Sequence, residues 1–251
     1  MSNRMLCTIC ARGGSKGVAN KNIKQVAGKP LIAHTLDVAI QSGLFDEVLV
    51  SSDCKNILNA AKEHGATILL QRPNKLATDT ISKLPVISHA AKEAEKQSGK
   101  FDILVDLDVT SPLRTIEDVK GAVKLLETTQ ASNVITGSIS RRSPYFNLVE
   151  QTQAPYIKLS KVLPEQIVRR QDSMVCYDMN ASIYVWPFDK YVTEPYIFTE
   201  TTALYEMPTD RSWDVDEEFD FLIVEFLLER KVRMQHGGNA TDESIEKLER
   251  S

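Results

Sequence analysis

Apolar residues in this chain fall first into short unbroken runs and then into helical stripes. Met5-Leu6-Cys7-Thr8-Ile9-Cys10-Ala11 is almost wholly apolar and stops at Arg12-Gly13-Gly14, the pattern of a strand buried on both faces of a parallel sheet. From Pro30, suited to a first helical position, Leu31, Ile32, Leu36, Ala39 and Ile40 form a helical stripe that Gly43 ends. Val48-Leu49-Val50 predicts a second strand running into Ser51-Ser52-Asp53. Residues 55–64 predict a helix stopped by Gly65, and Thr67-Ile68-Leu69-Leu70 a further strand. A longer helix is expected from about Thr80 to Ser98, on Ile81, Leu84, Ile87, Ala90, Ala91 and Ala94. Ile103-Leu104-Val105-Asp106-Leu107 reads as the next strand, and Thr115-x-x-Asp118 opens another helix as a capping box. Strand and helix alternate over the first 130 residues, which implies an α/β fold whose mainly parallel sheet is covered on both faces. Loops at the carboxyl ends of such strands form the ligand site.

The rhythm breaks between about Ser138 and Met179. This stretch holds Pro144, Pro155 and Pro164, the basic pairs Arg141-Arg142 and Arg169-Arg170, and no long helical stripe. It reads as an insertion that leaves the sheet, a small subdomain or dimerisation arm. Ala181-Ser182-Ile183-Tyr184-Val185-Trp186 restores a strand. Residues 217–230 predict an amphipathic helix on Phe221, Val224, Phe226, Leu227 and Leu228, and residues 237–251 are a polar tail. Chemistry placed at both ends of the chain favours one catalytic domain over 1–251, with 138–179 inserted in it.

Composition narrows the function classes. Hydrophobic residues at 42% with a net charge of only −4 exclude a disordered chain. The balance of 30 basic and 34 acidic residues supplies no global field for a nucleic-acid partner. No apolar run approaches the roughly 20 residues of a membrane helix. Met1-Ser2-Asn3-Arg4 lacks the long apolar segment of a signal peptide, so a cytoplasmic location is expected. Four cysteines in 251 residues do not make a disulfide scaffold.

The strongest local signal is Ala11-Arg12-Gly13-Gly14-Ser15-Lys16-Gly17, followed by Asn20-Lys21-Asn22. Glycines allow a close backbone approach and aim N–H groups at a ligand. Arg12, Lys16 and Lys21 add the bidentate guanidinium and point charges that a polyphosphate wants. The spacing matches neither a Walker A loop nor the dinucleotide fingerprint. Asp214-Val215-Asp216 puts two carboxylates on one face of an extended segment, suited to Mg²⁺ (or Mn²⁺), which completes its shell with water and phosphate. Alone, this pair is equally a helix cap by Asp216; beside a polyphosphate loop the metal reading prevails, since phosphoryl transfer needs charge neutralised. Asp106-x-Asp108 is a second such pair, a turn cap or a ligand for metal or substrate. Cys7-x-x-Cys10 lacks a partner pair and falls in a strand, where positions three apart face opposite ways, so both read as core residues. His34, His64, His89 and His236 show no metal spacing.

Taken in order, these motifs resemble the acylneuraminate (CMP-sialic acid) cytidylyltransferases over roughly residues 5–230. The resemblance rests on the glycine loop with Lys21-Asn22, Ala27-Gly28-Lys29-Pro30-Leu31-Ile32, Val50-Ser51-Ser52-Asp53, Leu76-Ala77-Thr78-Asp79-Thr80 and Thr110-Ser111-Pro112-Leu113-Arg114. It continues through Arg169-Arg170-Gln171, Asn180-Ala181 and Arg211-Ser212-x-Asp214-Val215-Asp216. It implies a Rossmann-like nucleotidyltransferase, a homodimer whose arm reaches the partner's site, and transfer of CMP from CTP to an acidic nine-carbon sugar with Mg²⁺. By the same resemblance Arg12 and Lys21 would stabilise triphosphate charge, and Asp214 and Asp216 would hold the metal. Ala11, Gly13, Gly14, Ser15, Lys16, Asn22 and Ser82 would bind nucleotide; Asp108, Thr110, Ser111, Arg170 and Gln171 would face the sugar. Asp108 stands where the sialic acid enzymes commonly have Gln, and Asn180-Ala181-Ser182 where they have Asn-Gly-Ala, which admits a bacterial relative such as a legionaminic acid derivative beside N-acetylneuraminate. The alternatives are a 3-deoxy-manno-octulosonate cytidylyltransferase, a glycosyltransferase using Asp106-x-Asp108, and a non-enzymatic nucleotide sensor.

Overall fold

The first apolar run forms β1 (Met5–Cys10), and the chain then crosses a small hairpin of β2 (Gln25–Val26) and β3 (Lys29–Pro30). Helix α1 (Leu31–Gln41) starts one residue after Pro30, and β4 (Glu47–Ser52), α2 (Lys55–Glu63) and β5 (Ile68–Gln71) follow as the patterning predicts. Gly43 and Gly65, just beyond the two helices, adopt φ values of 65° and 86°, the left-handed conformation that closes a helix at little cost to glycine. Helix α3 (Lys83–Ser98) begins three residues later than the periodicity suggests, with Ser82 extended at its N-cap; Thr80 and Ile81 belong to the loop before it. Then come β6 (Ile103–Leu107), α4 (Ile116–Thr128) and β7 (Asn133–Ile139). The excursion holds a hairpin of β8 (Val149–Gln151) and β9 (Ile157–Leu159). The chain returns through β10 (Tyr177–Pro187), α5 (Phe188–Thr193), β11 (Thr202–Glu206) and α6 (Glu218–His236). The computed structural model describes residues 3–14, 17–78, 80–163 and 174–236; the polar tail lies outside them.

Seven strands make one sheet in the order β11-β7-β10-β6-β1-β4-β5. All its pairings are parallel except those of β10, which runs antiparallel to both β6 and β7. Alternation along the strands feeds two cores. Cys7 and Ile9 of β1 with Ile183 and Val185 of β10 face α1, α2, α4 and α6; Leu6, Leu104, Tyr184 and Trp186 face α3 and α5. Cys7 is buried in the first core and Cys10 packs against the second, opposite faces as expected, and all four cysteines are free thiols. No helix of the described residues is long and apolar enough to cross a membrane.

Three expectations need correction. The patterning does not show β7 or β11. Ser138, Ile139 and Tyr177–Met179 belong to the paired ends of β7 and β10, so the excursion leaves the sheet only beyond them. In α6, Phe226 is 62% exposed, as are Phe219 and Leu222 to similar degrees; the core face is Phe221, Val224 and Leu228. That helix is apolar on two faces, which the periodicity of a single stripe does not separate.

The capping box at α4 has a second use. The Asp118 carboxylate accepts from the Thr115 N–H at 2.8 Å and is gripped by Arg211, Nε at 2.9 Å and Nη2 at 2.8 Å. Arg211 lies in the turn leading into residues 212–217, so this pair anchors that segment to α4. Burial pushes the Asp118 carboxyl upward, but the Arg211 and Thr115 donors outweigh it and hold it below its ordinary value. The resulting stabilisation is complete above about pH 4, the unfolded carboxylate value, and is lost as pH falls through the lower folded value. Because the Arg211 side chain is 32% exposed, solvent screening keeps the loss in Arg211→Gln to about 1–2 kcal/mol, below that of a fully buried pair. Thermal melts between pH 7 and pH 2 should show the gap between wild type and Arg211→Gln closing with acid; a constant gap would reduce Arg211 to a packing role.

Candidate active site

A cavity of about 450 Å³ opens at the carboxyl ends of β1 and β6, within the size range of small-molecule sites. Arg12, Lys21, Arg72 and Lys83 supply its cations, Asp108 and Asp216 its carboxylates, and Asn22, Ser82 and Thr110 its neutral polar groups. Most of these residues are placed by short loops at strand ends.

The glycine loop meets the acidic segment directly. A Cβ on Gly17 would stand 1.9 Å from the Asp216 carbonyl oxygen, so only glycine lets the two backbones touch. The Lys21 ammonium bonds the Val215 carbonyl and lies 3.8 Å from Asp216 Oδ1. Lys24 pairs with Glu218 at 2.6 Å. On the other side, the Val215 N–H donates to the Thr110 carbonyl at 2.8 Å. Residues 214–216 are therefore held between the loop after β1 and the loop after β6.

Within that segment Val215 is fully buried and Asp216 exposed, as alternation requires. The start of α6 is closed by Asp220, whose Oδ2 accepts from the N–H groups of Asp216 and Glu217 at 3.0 and 2.9 Å; Asp220 thus takes the capping role considered for Asp216. Asp214 Oδ1 is buried without a hydrogen-bond partner. Burial, then the charges of Asp108 and Asp216, push the Asp214 carboxyl above its ordinary value. A buried, unpartnered carboxylate oxygen beside two further carboxylates is a place for a cation. Among the described residues no three His, Cys, Asp or Glu side chains converge as a closed metal cluster. A pair such as Asp214 and Asp216 suits an ion of the Mg²⁺ kind, which takes one or two carboxylates and fills its shell with water and phosphate.

Several expected ligand-binding residues serve the protein itself. Gly13 donates its N–H to Asp53 Oδ1 at 2.9 Å and packs on Cys54, so its donor is not turned to a ligand. Ala11 gives its N–H to the Ser51 carbonyl at 3.0 Å. Ser111 is fully buried and donates to the Asn180 carbonyl at 3.3 Å; it holds the loop to β10 and does not line the cavity. Asn22 lines the cavity but donates to the Arg12 carbonyl at 2.8 Å, which positions the Arg12 backbone. Gly14 has open space beside it. Ser15, Lys16, Arg170 and Gln171 lie outside the described residues.

Sequence reasoning missed three cations. Lys83, the first residue of α3, sits 2.7 Å from Asp108 Oδ2 and 3.0 Å from Asp106 Oδ2. Burial penalises its ammonium, but the two carboxylates outweigh that and keep it protonated. Burial likewise pushes Asp108 upward, yet Lys83 and the Thr110 donors bring it down to about 2. Arg114 is buried and bonds Ser182, Thr35 and the Asp108 carbonyl; Arg72 donates to the Ser51 carbonyl at 2.6 Å. Arg114 ends the Thr110-Ser111-Pro112-Leu113-Arg114 motif, whose pattern gives it no role, Lys83 and Arg72 lie in no motif with a recognisable spacing, and only tertiary packing gathers the three. Lys83 also answers the glycosyltransferase alternative, because the Asp106-x-Asp108 pair already holds an ammonium.

The chain matches two relatives over nearly their whole length. The chain is 39% identical over 230 residues to the post-translational flagellin modification protein B of Campylobacter coli, spanning 91% of this chain and 97% of that one. It is 40% identical over 228 residues to the CMP-N,N'-diacetyllegionaminic acid synthase of Campylobacter jejuni, spanning 90% and 96%. A solved structure of CMP:2-keto-3-deoxy-manno-octonic acid synthetase complexed with CTP superposes with a TM-score of 0.64 at 18% identity, covering 91% of this chain and 99% of that chain, and so shares the fold. The family model described as cytidylyltransferase matches residues 6–221, a span that holds both the glycine loop and the Asp214–Asp216 segment, and the chain belongs to that family.

Proposed function

We propose that this enzyme transfers CMP from CTP to the anomeric hydroxyl of a nonulosonic acid, releasing diphosphate, and that the sugar is of the legionaminic type. The observation that carries the reading is the seating of the acidic segment against the basic loop, with Asp214 Oδ1 left unpartnered between them. The printed product of the Campylobacter jejuni relative and the carboxylate at Asp108 support the choice of sugar. N-acetylneuraminate and 3-deoxy-manno-octulosonate are the competing acceptors.

In this reading the sugar hydroxyl attacks the α-phosphorus in line with the bond to the β-phosphate. The new P–O bond forms as the bond to diphosphate breaks, and the hydroxyl proton passes to solvent. No side chain need act as nucleophile, since positioning and electrostatics carry most of phosphoryl transfer. Arg12 and Lys21 face the phosphates and stabilise charge on the leaving diphosphate; Ser15 and Lys16 join them by resemblance. Asp214 and Asp216 would hold Mg²⁺ or Mn²⁺, which when bound neutralises phosphate oxygens and lowers the pKa of a nearby hydroxyl. Ser82, Asp108 and Thr110 line the cavity; in this reading Ser82 would contact the nucleoside and Asp108 and Thr110 the sugar, with Arg170 and Gln171 completing the sugar contacts by resemblance.

We further propose a homodimer formed through the excursion between β7 and β10, and a cytoplasmic location, consistent with free thiols and CTP as substrate. Leu148, Val149, Tyr156, Ile157 and Val162 all stand 44% exposed or more on that excursion, a patch that usually marks an interaction site.

Diphosphate release with CTP and a panel of nonulosonic acids, with and without Mg²⁺, tests the reaction. A legionaminic acid should give the highest kcat/KM, and chelation should abolish turnover; no release with any acceptor would refute the assignment. Asp216→Ala should lower kcat by at least about 10²-fold with an unchanged melting temperature, and Arg12→Ala should cost about 10²-fold, as for other donors to developing charge. Ile157→Glu should shift the sedimentation coefficient from dimer to monomer; an unchanged dimer would place the interface elsewhere.

A further inference from the structure

One carboxylate of each of two pairs, Asp108 and Asp216, lines the cavity, and the two pairs meet different partners. Asp106 and Asp108 project from one side of β6 and its end, two residues apart, towards α3. Asp106 is fully buried, with Oδ1 accepting from Thr8 Oγ1 at 2.8 Å. Both Oδ2 atoms converge on one point, the Lys83 ammonium, at 3.0 and 2.7 Å. Asp108 Oδ1 takes the Thr110 N–H at 3.2 Å and its hydroxyl at 3.0 Å. Asp106 Oδ2 and Asp214 Oδ1 are both buried without a hydrogen bond, and the Asp106 atom differs in facing the Lys83 ammonium.

We propose that Lys83 is a positioning residue, the built-in cation of the Asp106–Asp108 pair, holding the place a divalent ion would otherwise take and leaving the metal of the reaction to Asp214 and Asp216 alone. This rests on the metal reading given above and deepens it. An ion bound by both Oδ2 atoms at the 2.0–2.1 Å that Mg²⁺ demands would have to stand where the ammonium stands. Lys83 cannot withdraw with its backbone, because Ile87, Ala90, Ala91 and Ala94 bury the face of α3 that carries it. The Tyr184 ring lies 4.7 Å from the Lys83 ammonium, favourable for a cation and useless to a hydrated divalent ion. Asp108, with three of about four acceptor positions filled, keeps one for a donor on the bound sugar.

The experiment counts Mn²⁺ ions bound per chain by electron paramagnetic resonance at saturating CTP, corrected for CTP alone. Wild type and Asp108→Asn should each bind one ion and Asp216→Asn none. Lys83→Met should gain a second ion, lost again in the Lys83→Met/Asp108→Asn double variant, while Lys83→Arg should keep one. A purely structural role for Lys83 would change melting temperature and leave the count of every Lys83 variant at one, which overturns the proposal. Two ions in wild type, with one lost in Asp108→Asn, would make Asp108 a ligand and overturn it too, while leaving the proposed reaction standing. No bound ion in wild type would refute the metal reading and this inference with it. If Lys83→Met does not fold, Lys83→Gln is counted in its place, with the same second ion expected and a single ion overturning the proposal.

Discussion

The backbone contact between Gly17 and Asp216 is the constraint around which the site is arranged. It joins residues almost 200 positions apart, and a single methyl group on Gly17 would stand 1.9 Å from a carbonyl oxygen. Neither backbone can retreat. The acidic segment is tied to the β6 loop through Val215 and Thr110 and to α4 through Arg211 and Asp118. The glycine loop is tied to the same segment by Lys21 and to α6 by Lys24. The consequence is chemical: cations suited to phosphate and carboxylates suited to a metal are fixed a few ångströms apart, as a transfer that relies on electrostatic preorganisation requires.

Such crowding of charge is costly unless most of it is satisfied internally. The site achieves this by dividing its ionic groups. Arg72 and Arg114 are spent on backbone and hydroxyl oxygens, and Lys83 on two carboxylates. Arg72 and Lys83 shape the cavity wall, and Arg114 braces the end of β6. Two carboxylate oxygens here are buried without a hydrogen bond: Asp106 Oδ2, which faces the Lys83 ammonium, and Asp214 Oδ1, whose carboxyl is pushed towards protonation by burial and like charge. An unsatisfied group in an otherwise satisfied network is where a ligand contributes most.

Much of this was legible in the sequence, and the rest was hidden for definite reasons. β1, β4 and β6 show as apolar runs because both their faces are covered. β7 and β11 do not, because Thr136, Gly137 and Ser138 in one and Thr202 and Glu206 in the other dilute the apolar signal. The motif at residues 11–17 marks the right loop but misleads about its glycines. Gly13 and Gly17 are small because Cys54 and Asp216 press on them, a cause invisible until the fold brings those residues together. Lys83 is an unremarkable lysine at a helix start, and its meaning depends on Asp106 and Asp108, over 20 residues away. The departure at residues 180–182 has a physical trace: Ala181 adopts φ 51°, where glycine is favoured, at the irregularity in β10.

That irregularity links the excursion to the chemistry. Asn180 beside it accepts from Thr136 Oγ1 at 2.7 Å, across to β7, and donates to Ser212 Oγ at 3.0 Å, two residues before Asp214. Both roots of the excursion are strand ends that flank this residue. The one antiparallel strand of the sheet thus carries the excursion at one end and braces the acidic segment through its first buried side chain. A parallel strand there would need a covering crossover to return; an antiparallel one lets the chain leave the sheet and re-enter beside its point of departure. The topology that permits the excursion is also the one that plants its base against Ser212.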